Sequence, residues 1–321
     1  HYGSVEGEYH ALRESVAWID FPDVSLLKIS GEDRKVWLQG QVTNDVRDFE
    51  DGGFVSCCLL SPTGQVVSDL RIWAFADFYV VSLPAVCKER ALKRMHQTLI
   101  IEDVRIEDLS SEFGVVSVQG PKATDVLGEE IEIPRLNCGM VDFSLRSGYL
   151  LRSDRSGSGG WDLCFRAESL PEVRKVLKNV KPAGRGAWEI CRVEAGIPVY
   201  GKEINVNRLV MELGEKFISE NVSFEKGCYT GQEVVMRIHA RGHVNKSLVG
   251  LVCEKSVSSG AKISHTERED AGVVTSAVES PVYGAIALAI LRKEAMRYGE
   301  SVVVLEGEEK VRGEVKRLPF R

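Results

Sequence analysis

Two stretches of the chain show the same order of apolar and polar positions. Residues 26–30 form an apolar run typical of a strand, followed by Gly31 and by a stretch to residue 38 whose acidic start is typical of a helix. Residues 114–119 repeat the strand, and Gly120 with residues 121–127 repeats the glycine and the helix. The two glycines are 89 residues apart. This separation is too long for a solenoid and predicts a duplicated α+β domain, with the halves packed about a pseudo-two-fold axis.

Each predicted half contains a further strand and a further helix. Pro84 and Pro171, 87 residues apart, each open a stretch with apolar residues on one helical face. Ahead of each lies a strand with an Asp-Leu pair, at Asp69 and at Asp162, 93 residues apart. If the halves are symmetric, the two aspartates occupy related places and face one central cleft. The alternative is that each aspartate only ends the buried part of its strand.

The pattern changes near Lys246 to short alternating strands separated by glycines. These strands cover residues 247–252, 272–276, 285–290 and 302–305. Such a series predicts a small antiparallel barrel or sandwich. The sequence therefore predicts three domains: a first α+β domain over residues 1–110, a second over residues 111–245, and a β domain over residues 246–321.

Composition and charge exclude several classes of binding partner. The 321 residues include 41 basic and 47 acidic side chains, a net charge of −6, so no positive field is available for direct nucleic-acid binding. No apolar run approaches the roughly 20 residues that span a bilayer, so no membrane partner is predicted. Eight cysteines without Cys-x-x-Cys spacing indicate reduced thiols and a cytoplasmic location. His239 and His243 lack a third ligand, so no metal site is predicted.

Residues 226–233, Lys-Gly-Cys-Tyr-Thr-Gly-Gln-Glu, are the most distinctive segment of the chain. Its glycines predict a turn that leads into a helix from about Gly231, with Cys228 just before the helix N-terminus. The helix dipole and Lys226 would there favour the thiolate and lower the pKa of Cys228. The alternative is a structural cysteine packed under the turn.

This segment resembles the signature of the YgfZ-type folate-binding proteins, which belong to the glycine cleavage T-protein superfamily (aminomethyltransferase, GcvT-like). The resemblance extends over nearly the whole chain, including residues 41–45, 118–122, 191–198 and 272–276. It implies an α+β fold in which duplicated α+β domains and a C-terminal small β-barrel form a three-domain ring around tetrahydrofolate or a one-carbon derivative of it.

Three functions are compatible with this resemblance. The first is a tetrahydrofolate-binding protein that supports iron–sulfur cluster assembly or repair and meets iron–sulfur client proteins. The second is a tetrahydrofolate-dependent aminomethyl or methyl transferase like the T-protein. The third is a non-catalytic binding module on the same fold.

The resemblance also implies roles for single residues. Asp69 aligns with a T-protein aspartate beside the folate nitrogens, where a carboxylate can orient the reacting amine and stabilise developing positive charge. Asp162 aligns with a glutamate that binds the pterin, although its side chain is one methylene shorter. The remaining candidates are Cys228 as a reactive thiol and, for folate binding, Arg192, Glu194, Lys226 and Tyr229. An internal ion pair would explain Arg192 and Glu194 equally well.

Two departures from the T-protein pattern favour the YgfZ branch. T-proteins tend to carry a tyrosine near Ser56, where this chain has Ser-Cys-Cys over residues 56–58. They also carry an arginine where this chain has Trp188, which removes a cation that could meet the glutamate tail of folate.

Overall fold

The computed structural model describes residues 2–129, 131–134, 136–143, 146–242 and 244–320. They form two β-sheets with flanking helices and one closed barrel. The helices are α1 (Val5–Glu14), α2 (Arg34–Gln39), α3 (Lys88–His96), α4 (Ala123–Gly128), α5 (Leu170–Val176), α6 (Arg185–Glu194), α7 (Glu215–Asn221) and α8 (Gln232–Arg241).

The strands of the first half are β1 (Ala17–Asp20), β2 (Val24–Ser30), β3 (Phe54–Leu60), β4 (Val66–Ala74), β5 (Phe78–Pro84) and β6 (Arg105–Asp108). Those of the second half are β7 (Phe113–Gln119), β8 (Cys138–Phe143), β9 (Arg146–Arg152), β10 (Gly160–Arg166) and β11 (Lys181–Pro182). The remaining strands are β12 (Lys246–Cys253), β13 (Lys262–His265), β14 (Arg268–Ser280), β15 (Gly284–Arg292), β16 (Ser301–Glu306) and β17 (Glu309–Lys316).

The two sheets share the order of four strands. The first sheet runs β3-β4-β5-β2-β6, and the second runs β8-β9-β10-β7-β1-β11. In each, a strand–helix unit is followed by a three-strand meander whose last strand pairs back with the strand of that unit, β5 with β2 and β10 with β7. The predicted duplication is confirmed.

This shared order corrects the predicted equivalence of Asp69 and Asp162. Asp69 lies on β4, the middle strand of its meander, whereas Asp162 lies on β10, the last strand of its meander. The counterpart of β4 is β9, and the counterpart of β10 is β5. An Asp-Leu pair within an apolar strand does not specify the strand's neighbours, because hydrogen-bonded pairing, not local pattern, sets the place of a strand in a sheet.

Two glycines explain why both halves turn from strand to helix in the same way. Gly31 after β2 has a φ of 109°, and Gly120 after β7 has a φ of 124°. A Cβ at Gly31 would lie 2.0 Å from the carbonyl oxygen of Asp103, and one at Gly120 would lie 2.4 Å from that of Ser15. Only glycine tolerates both the backbone conformation and the close approach.

The N-terminal strand belongs to the second sheet. β1 pairs antiparallel with β7 and parallel with β11, and α1 packs against α6. The chain thus begins beside its second half before it enters the first sheet. The domain boundaries at residues 110 and 245 stay a prediction.

Helix α6 lies where the three units meet. Ala187 and Cys191 share a core with Leu26 and Trp73 of the first sheet and with Leu151 of the second. Val193 of the same helix packs against the barrel. Helices α7 and α8 contribute to a separate core on the first sheet. These contacts fix both sheets and the barrel around the space beside β4.

The C-terminal strands form a closed barrel in the order β12-β15-β14-β13-β16-β17. Small and branched apolar side chains fill it, among them Leu251, Ile263, Ala289, Val304 and Val315. Closure leaves no open sheet edge. Among the described residues, no helix combines the length and the apolar character needed to cross a bilayer.

Candidate functional site

Two clefts meet at strand β4 in the centre of the molecule. One has a volume of about 450 Å³ and the other of about 510 Å³. Both are lined by Asp69, Arg71, Ile197 and Pro198. A ligand that reaches Asp69 can therefore extend into either cleft, and the combined space is of the size that small-molecule sites have in proteins.

The alternation of β4 explains how these side chains reach the clefts. Leu70 and Ile72 are buried in the core beneath α2 and α3. Asp69 and Arg71 project from the opposite face, because successive side chains of a strand point to opposite sides. Ser56 on β3 and Ser82 on β5 lie directly opposite Arg71 and also line the clefts. A polar row thus crosses an otherwise apolar sheet.

Asp69 has an uncommitted carboxyl group. Its Oδ1 is buried and has no hydrogen-bond partner among the described residues. Burial raises the pKa of Asp69, while the positive charges of Arg71 and Arg155 oppose the rise. No cationic nitrogen of the described residues lies within 4.0 Å of the Asp69 carboxyl oxygens, the limit for an ion pair. Such a group can accept a hydrogen bond from a bound amine, or hold a proton nearer to neutral pH than an exposed aspartate can.

Asp162 has the opposite environment. Nε of Arg155 donates to both its carboxylate oxygens, at 2.9 and 3.0 Å, and Nη2 donates to Oδ2 at 2.6 Å. The hydroxyl of Ser117 donates to Oδ1 at 2.6 Å. Asp162 is only 1% exposed and lines neither cleft, whereas Arg155 lines the second one. Both oxygens that were expected to bind a pterin are engaged by the protein itself.

Arg192 and Glu194 hold α6 in place and line neither cleft. Arg192 is fully buried and donates to Glu203 at 3.2 Å, to Glu189 at 2.8 Å and to the hydroxyl of Ser276 in the barrel at 2.5 Å. Glu194 accepts hydrogen bonds from Tyr9 of α1 at 2.9 Å and from Ser280 of the barrel at 2.6 Å. The two residues do not pair with each other. Each instead joins α6 to a neighbouring unit.

Residues 226–233 anchor the chain onto the first sheet. Nζ of Lys226 donates to three carbonyl oxygens at the end of α2 and beyond it, at 2.7 Å to Gln39, 2.6 Å to Val42 and 2.8 Å to Asn44. Three such bonds require the ammonium form, although burial lowers the pKa of Lys226 to about 8. Asn44 lines the first cleft, so Lys226 supports the wall of that cleft from behind.

The other anchors of this segment are apolar or sterically constrained. Tyr229 is buried in the core between α8 and the first sheet, and burial raises its pKa to about 12. Gly231, the N-cap of α8, has a φ of 84°, and a Cβ there would lie 2.7 Å from the carbonyl oxygen of Ser61. Lys226 and Tyr229 therefore lie behind the cleft wall and do not line the clefts.

Cys228 lies on the outer side of this anchored segment. It is exposed, while the other seven cysteines are buried and no disulfide joins the eight. It lines neither cleft. The structure thus separates the two predicted reactive groups, with Asp69 inside the central space and Cys228 on the surface.

Sequence reasoning missed two cations of the site. Arg71 lies two residues after Asp69 on β4, and this alternate spacing is a signal that could have found it. Arg155 carries no such signal, because only folding brings it against Asp162. Trp188, noted as a departure, lines the second cleft, where its ring packs edge-on against Phe21 at 5.4 Å.

The described residues contain no group of three or more His, Cys, Asp or Glu side chains placed to hold a metal ion. His243, one of the two histidines considered as ligands, lies outside the described residues.

Comparisons with known proteins agree with this architecture. An aminomethyltransferase of Chloroherpeton thalassium is 28% identical, and the match covers 88% of this chain and 81% of the relative. An aminomethyltransferase of Staphylococcus carnosus is 24% identical over 98% of this chain and 89% of the relative.

The crystal structure of the glycine cleavage system aminomethyltransferase T from Bartonella henselae matches with a TM-score of 0.83 at 18% identity. The match covers 99% of this chain and 90% of that chain, and it shows that the fold is shared. The family model of the GCVT N-terminal domain matches residues 2–221, and that of the glycine cleavage T-protein C-terminal barrel domain matches residues 246–321. The chain therefore belongs to the glycine cleavage T-protein family.

Proposed function

We propose that this protein is a tetrahydrofolate-dependent one-carbon transferase of the aminomethyltransferase type, with its reaction centre at Asp69. Membership of the T-protein family and the relatives named aminomethyltransferase support this function. The observation that carries it is the uncommitted Oδ1 of Asp69 where the two clefts meet.

The lining fits a flat, polar ligand. Trp188 and Phe21 offer aromatic surface in the second cleft, and the hydroxyls of Ser56 and Ser82 offer hydrogen bonds along the strands. A buried carboxyl oxygen without a hydrogen-bond partner, as Oδ1 of Asp69 is among the described residues, is costly unless a ligand donates to it. A ring nitrogen that donates to Asp69 would satisfy this requirement.

Within such a complex, tetrahydrofolate supplies the nitrogens that accept the one-carbon unit. Asp69 orients the reacting amine by accepting its hydrogen bond and stabilises the positive charge that develops there. Its raised pKa also makes it a better proton acceptor than an ordinary aspartate. Arg155 forms part of the wall of the second cleft, and its guanidinium group is held in place by the ion pair with Asp162.

Titration with tetrahydrofolate beside a turnover assay tests this function. Asp69→Asn should lower one-carbon turnover by about 10²- to 10⁴-fold while folate affinity changes little, since the amide keeps the shape and loses the proton acceptor. Asp23→Asn is the matched control, because Asp23 lines the second cleft but is already paired with Arg185. Tight folate binding by the wild type without turnover of any folate-linked donor would contradict the proposal. Absence of folate binding in calorimetry would instead favour a binding module for another ligand.

A second function is favoured by the exposure of Cys228. In the YgfZ-type function, which stays a prediction, the protein binds tetrahydrofolate and supports iron–sulfur client proteins through this thiol. Cys228→Ala should then fail to restore cluster-enzyme activities in a deletion strain. Gly227→Ala is the matched control, because a Cβ there meets nothing within 4 Å and the thiol is kept. Full restoration of the cluster-enzyme activities by Cys228→Ala would rule out this function and would not bear on the transferase function.

A further inference from the structure

Arg71 differs from every other cation that lines the two clefts. Arg155 is paired with Asp162 at 2.6 Å, Lys216 with Glu220 at 2.8 Å, Arg185 with Asp23, and Lys202 with Glu189. Arg71 has no carboxylate of the described residues within 4.0 Å. Among the described residues its side chain donates one hydrogen bond, from Nη2 to the carbonyl oxygen of Asp154 at 3.3 Å. Its guanidinium group can therefore still take a bidentate anion.

Its position places this free cation beside the reaction centre. Arg71 and Asp69 are two residues apart on β4, so their Cα atoms lie about 7 Å apart on one face of the strand. They do not pair with each other within 4.0 Å. Burial is the main cause that lowers the pKa of Arg71, and the charge of Arg155 adds to it, while Asp162, Asp69 and Asp154 oppose the shift. A bound anion would offset the cost of burying the guanidinium group.

We propose that Arg71 binds a carboxylate of the ligand, so that this group is held next to the amine bound by Asp69. The proposal rests on the transferase function and specifies the chemistry of what that site accepts. A planar carboxylate matches the fork of a guanidinium group, and the hydroxyls of Ser56 and Ser82 on either side of Arg71 can donate to it as well.

Two sources can provide such a carboxylate. One is the glutamate tail of tetrahydrofolate, and the other is a small one-carbon donor of the amino-acid type that carries its own amine and carboxylate. An α-amino acid carries both groups that this face of β4 could bind, an amine for the carboxyl of Asp69 and a carboxylate for the guanidinium group of Arg71.

Two pairs of ligands, each differing mainly in the presence of one carboxylate-bearing group, distinguish the folate tail from a small amino-acid donor. Wild type, Arg71→Gln and Arg71→Lys are titrated with tetrahydrofolate and with 6-methyltetrahydropterin, which lacks the benzoylglutamate tail. The same proteins are titrated with glycine and with glycinamide, which keeps the amine and lacks the carboxylate. Lys216→Gln serves as the control, because Lys216 lines the first cleft but is already paired. Near-ultraviolet circular dichroism checks that each variant is folded.

The results expected depend on the source of the carboxylate. If it is the folate tail, the wild type binds tetrahydrofolate at least about tenfold tighter than the tail-less pterin, and Arg71→Gln removes this difference. If it is a small donor, the wild type prefers glycine to glycinamide, Arg71→Gln removes that preference, and folate affinity is unchanged. Arg71→Lys should retain part of either preference, since it keeps the charge but not the fork.

The inference is overturned if Arg71→Gln leaves the preference of the wild type in both ligand pairs unchanged, or if the wild type shows no preference within either pair, even if turnover is intact. Absence of tetrahydrofolate binding by the wild type would overturn the transferase function, and the glycine pair would then decide about Arg71 alone. The two failures are thus distinguishable.

Discussion

Asp69 and Asp162 are each followed by leucine within an apolar strand, one in each half of the molecule, yet they differ in every contact. Asp162 accepts hydrogen bonds from Arg155 and Ser117 through both oxygens, whereas Oδ1 of Asp69 is buried and has no hydrogen-bond partner in the part of the chain that the structure describes. The difference follows from the strands that carry them. The middle strand β4 faces the central clefts, while β10 turns Asp162 into the protein behind Arg155.

The comparison shows that two halves with the same strand order can use a buried aspartate differently, one for internal pairing and one at a cleft. In the second half, a carboxylate and a guanidinium group neutralise each other and complete a wall of the site. In the first half, the carboxylate and Arg71 both stay available. The same class of side chain therefore has a structural role in one half and is open to a ligand in the other.

The largest effect should come from removing the carboxylate that is paired. Asp162→Asn leaves the guanidinium group of Arg155, only 7% exposed, without its counter-charge. We expect the free energy of unfolding to fall by about 3–5 kcal/mol. Urea denaturation measures this, with Asp69→Asn as the matched variant, since replacing an unpartnered carboxyl should not lower stability. Equal losses in both variants would break the comparison.

A double variant sharpens the same point. The double variant Arg155→Met with Asp162→Leu removes both buried charges and fills their space with apolar side chains. We expect most of the stability lost in Asp162→Asn to return, because the cost arises from an unpaired charge more than from lost packing. The measurement is again the urea midpoint. If the double variant is no more stable than Asp162→Asn, the pair contributes through packing and not through charge.

The two turn glycines test what the halves have in common. Gly31→Ala and Gly120→Ala should each cost about 1–3 kcal/mol from backbone strain, because both positions have positive φ and a carbonyl oxygen where the Cβ would lie. Thermal unfolding of the two variants should show similar losses. Gly40→Ala is the control, since its φ is −79° and the nearest atom to a Cβ is 3.5 Å away. A large loss at only one of the two turns would mean that the halves do not share this device.

The smallest effect concerns pH. Burial raises the pKa of Asp69, so the folded protein holds this proton more tightly than the unfolded chain does. The contribution of Asp69 to stability is therefore fully present below its unfolded pKa, near about 4, and is lost as the pH rises through the raised folded-state value. Asp69→Asn removes this dependence. The stability of the variant relative to the wild type should therefore increase with pH above about 4, as followed by urea denaturation at a series of pH values, and a constant difference would contradict the raised pKa.

Local pattern predicted the elements well where one face of the element is buried. Residues 26–30 were predicted as a strand and lie within β2, and the helix expected from about Gly231 begins at Gln232. The barrel was one of two predicted forms, and pairing between β12 and β17 closes it. The prediction that both aspartates face one central cleft depended on symmetric placement, and of the two only Asp69 lines the clefts.

The candidate site was predictable only in part, because distant contacts decide what a polar side chain does. Arg192 and Glu194 were expected near the ligand, but partners in α1, the barrel and the loop after α6 engage them. Tyr229 was expected to bind folate, yet it packs into a core. No local signal distinguishes a polar residue that joins domains from one that meets a ligand.

The sequence by itself determined the duplication and the T-protein resemblance, since these depend on periodicity, glycine positions and a distinctive segment. For the C-terminal strands the pattern left a barrel and a sandwich open, and strand pairing decided for the barrel. Only the tertiary structure decided which charges are free. A side chain's availability depends on the partners that folding brings within about 3 Å of it. Those partners come from strands and helices far apart in the chain, as Asp69 and Asp162 demonstrate.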